Sequence, residues 1–162
     1  MALYSKDDYY CECLEGFTGK HCEKVNWIQM TPSSVCFGAT SDSPGTFATP
    51  SSGEVITFKL IHLNGQVSCA PGYNTNWGCT WPDLPANMGT HITDSNKNRL
   101  LPKDEVLFGG GDCNNNLYYS LPGHTPDSPE LLFDNFTIPL HVAAEQQFQI
   151  WFAEDLNGLY GV

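Results

Sequence analysis

The chain has 162 residues, about the length of one ordinary domain. Charged residues make up 15% of it, and 18 acidic against 7 basic side chains give a formal charge of −11. That balance argues against a basic nucleic-acid footprint and against charge-driven attachment to anionic lipid, while it fits cations, basic partners and neutral sugars.

No run approaches the roughly 20 apolar residues of a membrane helix, so no membrane insertion is expected within this fragment. The start, MALYSKDDYY, lacks an apolar stretch and carries Asp7 and Asp8, unlike a signal peptide. Seven cysteines nevertheless read as extracellular: a secreted protein, or the ectodomain of a membrane protein. Asn135-Phe136-Thr137 is a glycosylation sequon and points the same way. A secreted pattern without a leader predicts a piece of something longer.

The first predicted element is CECLEGFTGKHC, residues 11–22. Gly16 and Gly19 permit a sharp reversal, and Phe17 gives the small hairpin an apolar side chain. Zinc ribbons use C-x₂₋₄-C pairs, and Cys11-x-Cys13 is too tight for that; His21 has no second ligand pair at zinc spacing. The stretch resembles the C-terminal half of an EGF-like module, whose closing signature is Cys-x-Cys-x-x-Gly-Phe-x-Gly-x-x-Cys. Tyr9 stands where that family usually has an aromatic. The resemblance covers residues 1–23 and implies a Cys13–Cys22 disulfide, with the partner of Cys11 lying upstream. A free, reactive Cys11 is the alternative. Tyr4 occupies the place of the family's calcium-linked acid or amide, so calcium binding is not carried over.

From residue 25 to 162 the pattern is mainly β. Eleven prolines and fifteen glycines in the chain break every long helical window. Residues 142–148 are the best helical candidate, and a short one. Residues 54–63, EVITFKLIHL, read as a strand with Ile56, Phe58 and Leu60 on one face. Asn64-Gly65 then predicts a hairpin returning through 66–69. Weaker strands are expected at 28–30, 89–93, 106–108, 117–120, 131–133 and 136–142, with a long loop over 40–52. Residues 147–152 form a second clear strand, Phe148, Ile150 and Phe152 opposing Gln147, Gln149 and Trp151. Asn157-Gly158 suggests a hairpin whose return strand runs out at Val162, a second sign of truncation. Short strands between turn signals predict an antiparallel, jelly-roll-like β-sandwich over 25–162.

Four cysteines in this segment allow three connectivities. Cys69 and Cys79 bracket the polar loop APGYNTNWG and are the first choice for a local bridge; Cys36–Cys113 is then the long-range one. The runs ITDSNKNRLLP (92–102), SPELLFDNF (128–136) and EQQFQIWFAEDL (145–156) are similar to secreted cnidarian proteins found among uncharacterized skeletal organic matrix proteins of corals. That resemblance implies an extracellular matrix setting and no established activity.

Several positions invite chemistry. Asp94, Asn96, Asn98 and Glu105 follow the ligand order of an EF-hand calcium loop, but Arg99 replaces the loop glycine, and a solvated hairpin turn is the simpler reading. Asp112, Asn114 and Asn116 repeat the spacing beside Cys113 in a glycine-rich loop that lacks the end of a P-loop. Glu154-Asp155 suits a cation at a strand end or half of a glycosidase carboxylate pair. Tyr73, Trp77 and Trp81 crowd the Cys69–Cys79 region, where exposed rings can stack on sugars or, alternatively, cap the sandwich end. Trp151 is a lesser candidate. The five histidines form no ligand or catalytic pattern. The expectation is a non-catalytic matrix, adhesion or ligand-recognition module with extracellular protein, matrix or glycan partners. The alternative is a lectin-like carbohydrate-binding domain, with calcium as the one cofactor left open.

Overall fold

The computed structural model describes residues 11–13, 16–82, 87–108 and 117–156. At the start, β1 (Phe17–Thr18) and β2 (Lys24–Val25) pair antiparallel. A disulfide joins Cys13 to Cys22 across them, with Cα atoms 5.3 Å apart. Gly16 and Gly19 sit at φ +88° and +101°, the left-handed region where a side chain is strained. A Cβ on Gly16 would stand 3.2 Å from Ile56 Cδ1, so this small hairpin touches the rest of the molecule. Cys11 is exposed and has no disulfide partner among the described residues.

The body is built from β3 (Gly45–Ala48), β4 (Gly53–Val55), β5 (Lys59–Ile61), β6 (Thr90–Asp94), β7 (Arg99–Leu101), β8 (Glu130–Leu132), β9 (Leu140–Val142) and β10 (Gln147–Phe152). One four-stranded sheet runs in the order β3-β10-β6-β7; β4 pairs with β9 and β5 with β8. Every pairing is antiparallel. The chain is therefore a mainly β, antiparallel protein.

The core lies between the four-stranded sheet and the two strand pairs. Phe148 of β10, Phe47 of β3 and Phe58 between β4 and β5 meet there. The Phe58 ring centroid is 5.5 Å from that of Phe148 and 5.8 Å from that of Phe47. Ile92, Leu101, Leu131 and Val142 bring β6, β7, β8 and β9 into the same cluster. Each such side chain contributes roughly 1.5–3 kcal/mol on full burial.

The strand over 147–152 forms with the expected inward set, Phe148, Ile150 and Phe152 all being buried. Its other face departs from the expectation. Trp151 is buried too, because β10 is the central strand, bonded to β3 and β6 at once. Lys97 stands over the Trp151 ring at 4.3 Å, and its indole N–H donates to Gln149 Oε1 at 3.0 Å. Trp151 is thus no surface ligand site.

Other expectations are corrected. The 54–63 strand breaks into β4 and β5, since β4 pairs with β9 while β5 turns to β8. Asn64-Gly65 makes no hairpin back onto β5: His62 Nε2 contacts the Gly65 carbonyl at 2.8 Å, and Val67 bridges to Thr75 instead. Residues 142–148 are not helical. Glu145 adopts φ +62°, and the turn delivers Val142 and Phe148 to the core from successive strands. Residues 28–30 form no strand, and 106–108 and 117–120 contribute only bridges through Leu107 and Tyr119. After β10 comes one helical turn, α1 (Ala153–Leu156); the expected hairpin at Asn157-Gly158 lies outside the described residues.

Candidate functional site

The loop between Val67 and Cys79 is closed at three levels. Val67 and Thr75 exchange backbone hydrogen bonds of 2.8 and 2.9 Å. The Tyr73 N–H donates to the Ala70 carbonyl at 3.2 Å, around Gly72 at φ +89°. Cys69 and Cys79 form a disulfide with Cα atoms 5.6 Å apart. A bridge over so short a loop contributes roughly 2–3 kcal/mol in the chain-entropy account.

The base of the loop is fixed by a close backbone approach. The Cys79 N–H donates to the Asn87 carbonyl at 2.7 Å, and the Gly89 N–H to the Trp77 carbonyl at 2.9 Å. A Cβ on Gly78 would fall 1.8 Å from the Asn87 oxygen, so only glycine fits there.

The three aromatics divide. Trp77 is 3% exposed; its indole N–H donates to the Ser128 carbonyl at 2.7 Å, and it belongs to the main core. Its ring therefore stands apart from the exposed face of the loop, on the core side. Trp81 is 37% exposed and Tyr73 is half-buried. Their ring centroids are 4.8 Å apart with planes tilted by 55°. The Trp81 N–H reaches Cys79 Sγ at 3.4 Å, which ties the exposed ring to the disulfide. Residues 69–81 contain no charged side chain, and Asn74 and Thr80 are exposed on the same loop. Rigid rings beside neutral amides and hydroxyls suit a ligand with apolar C–H faces and hydroxyl edges.

Of the proposed calcium ligands, Asp94 is engaged by its own turn. Asp94 Oδ1 accepts the N–H groups of Asn96 and Asn98 at 2.8 and 2.9 Å, and Oδ2 accepts the Asn98 amide at 2.7 Å. These bonds, the Asn98 side chain first, hold the Asp94 carboxyl below its usual range. The carboxylate serves the β6–β7 turn, with Lys97 at φ +64°, and Glu105 lies beyond β7 in a 3₁₀ turn, Asp104–Val106. Among the described residues no three His, Cys, Asp or Glu side chains are grouped to hold a metal ion. Asp112, Cys113, Asn114 and Asn116 lie outside the described residues, and Cys36–Cys113 with them; Cys36 itself is exposed. Asn135 is exposed between β8 and β9.

Glu154 and Asp155 do different work. Burial raises the Glu154 carboxyl above its ordinary range, opposed by a 3.3 Å hydrogen bond from the Tyr118 hydroxyl. The Asp155 carboxylate is spent on the backbone N–H groups of Asp42 and Ser43.

One buried group escaped the sequence reading. His91 on β6 is fully buried beside Tyr119, ring centroids 5.4 Å apart. Neither ring nitrogen has a hydrogen-bond partner of ordinary geometry among the described residues. Desolvation, aided by the Arg99 charge and only weakly opposed by the Leu117 backbone, lowers its pKa to about 3. Nothing in the sequence around His91 distinguishes it from the exposed histidines.

With this geometry in hand, the molecule is similar in structure to AJLec from the sea anemone Anthopleura japonica. The TM-score is 0.73 at 25% sequence identity, over 83% of this chain and 88% of that one. No protein-family model and no curated protein matches the sequence. The likeness takes in nearly the whole of AJLec, so the two share an architecture rather than one motif. The neighbour is itself cnidarian, in line with the source suggested by the runs at 92–102, 128–136 and 145–156.

Proposed function

We propose that this chain is a non-catalytic, lectin-like recognition module of an extracellular protein, binding a neutral carbohydrate through the Tyr73–Trp81 ring pair. The observation that carries the reading is the structural likeness to AJLec, whose name marks it as a lectin. The ring pair is where such a ligand fits best: Trp81 is exposed, Tyr73 half-buried beside it, and the uncharged loop is braced by the Cys69–Cys79 bridge. We take residues 1–23 as the end of an EGF-like module and the parent as a secreted or cell-surface protein of the matrix, with Asn135 open to glycosylation.

Glycan-array binding, with calcium and with EDTA, tests this reading. Binding to a defined set of neutral glycans, lost in Trp81→Ala, is expected. Binding that vanishes in EDTA shows that calcium takes part. An array with no binding in either condition leaves the matrix role without sugar recognition and overturns the proposal.

A further inference from the structure

Residues 27–37 and 58–67 wall a groove of about 730 Å³. Phe47, Phe58, Trp77 and Ile150 line it from the core, and Ile28 and Leu63 stand 63% and 68% exposed at its rim. Pockets of this volume and apolar character ordinarily bury a ligand. Among the described residues no acidic side chain lines it, and Lys59 is its one formal charge. That ammonium is already placed, 3.3 Å from Glu130 and 4.7 Å over the Trp27 ring.

The groove also holds an open strand edge. β5 meets β8 with Leu60 opposite Leu131. The ladder continues on either side: the Phe133 N–H donates to the Phe58 carbonyl at 3.2 Å, and the His62 N–H to the Pro129 carbonyl at 2.9 Å. Alternate residues of an antiparallel strand bond to opposite sides. The N–H and C=O groups of Lys59, Ile61 and Leu63 therefore point away from β8. Among the described residues none of them has a backbone partner. The groove takes in every residue from 58 to 67 and none of β8, so it runs along this free edge.

An unpaired edge is a template for another strand. An acyl chain offers nothing to a row of alternating donors and acceptors; an extended polypeptide matches it residue for residue. We propose that the groove receives an extended segment of a partner protein, which adds to β5 as a third strand. Its inward side chains are apolar, because the lining offers no carboxylate and its one cation is engaged. Its flanks are basic, because the whole molecule carries −11 and attracts positive charge at long range. The surface is independent of the Tyr73–Trp81 pair.

The probe is the peptide acetyl-Lys-Val-Thr-Val-Thr-Val-Lys-amide, titrated into the isotope-labelled protein. Saturable binding is expected, with the Ile61 and Leu63 amides exchanging at least about tenfold more slowly in the complex. N-methylation of the peptide at alternate residues removes the donors facing β5 and should weaken binding at least about tenfold. Replacing the flanking lysines by glutamates should weaken it at low salt, a difference that shrinks at about 0.5 M salt. Ile28→Ser with Leu63→Ser, both exposed positions, should weaken binding at least about tenfold while the melting temperature and sugar binding stay unchanged. The proposal is overturned if the N-methylated peptide binds equally well. Ile61 and Leu63 amides already protected in the free protein, or protected only as the protein is concentrated (a second copy on the edge), overturn it too. So does the absence of any shift at millimolar peptide.

Discussion

Asp155 and Asp42 are 113 residues apart in sequence, yet the Asp155 carboxylate accepts the Asp42 backbone N–H at 2.6 Å. Its second oxygen accepts the Ser43 N–H at 2.8 Å. One buried side chain in α1, just after β10, thus fixes the loop that leads into β3. Asp155→Ala leaves both donors without an acceptor and should cost roughly 1.5–3 kcal/mol in urea unfolding. Asp155→Asn keeps one acceptor and should cost distinctly less. Equal losses in the two variants would show that the carboxylate's two-point contact is unimportant.

The two tryptophans of the aromatic loop should separate stability from binding. Trp77→Ala removes a buried ring and its bond to Ser128, so a loss of roughly 3–5 kcal/mol is expected in chemical denaturation. Trp81→Ala truncates an exposed ring and should change stability by less than about 1 kcal/mol. A stable Trp77→Ala protein would contradict the placement of that ring in the core.

Gly78 offers a sharper test of the loop's base. A methyl group there meets the Asn87 carbonyl oxygen at 1.8 Å, where backbone rather than a flexible side chain must yield. Gly78→Ala should destabilise by at least about 2 kcal/mol and displace the Cys69–Cys79 loop. Gly65→Ala is the control for overlap: nothing lies within 4 Å of its Cβ, leaving only the strain of φ +82°.

His91 sets a pH dependence whose sign is fixed. Its folded-state pKa of about 3 lies below the ordinary histidine value, so the unfolded chain takes up the proton first as pH falls. Its contribution is complete above about pH 6.5 and is lost progressively between there and pH 3, at up to about 1.4 kcal/mol per pH unit. Asp94, whose carboxyl is also held low, adds loss in the same direction at the acid end of that window. His91→Leu should flatten the dependence between pH 6 and 4 by about this slope in urea midpoints measured at each pH. An unchanged slope would mean that the imidazole is not buried as described.

The fold was legible where a segment's own pattern agreed with its partners. β10 shows strict alternation, and its Phe148, Ile150 and Phe152 face the core accordingly. The same alternation misplaced Trp151, because a local pattern does not reveal that a strand is central and covered on its second face by Lys97. Asn64-Gly65 carries a strong local hairpin signal, yet β5 finds its partner at Glu130–Leu132, and that long-range pairing prevails. The candidate site was half legible. Cysteine spacing marked the loop and its aromatics, but not that Trp77 turns inward to Ser128 while Trp81 stays exposed against a half-buried Tyr73. The groove along β5 left no mark in sequence, since its walls are joined only in three dimensions.

Carbohydrate recognition at the Tyr73–Trp81 pair is tested most directly by saturation-transfer NMR, using a neutral glycan selected on the array. Wild type and Trp81→Ala are compared at matched fold stability. The account predicts transfer from the Trp81 and Tyr73 ring protons to the sugar C–H face, with affinity at least about tenfold weaker in the variant. Undiminished glycan binding by Trp81→Ala, with no transfer from either ring, would contradict it.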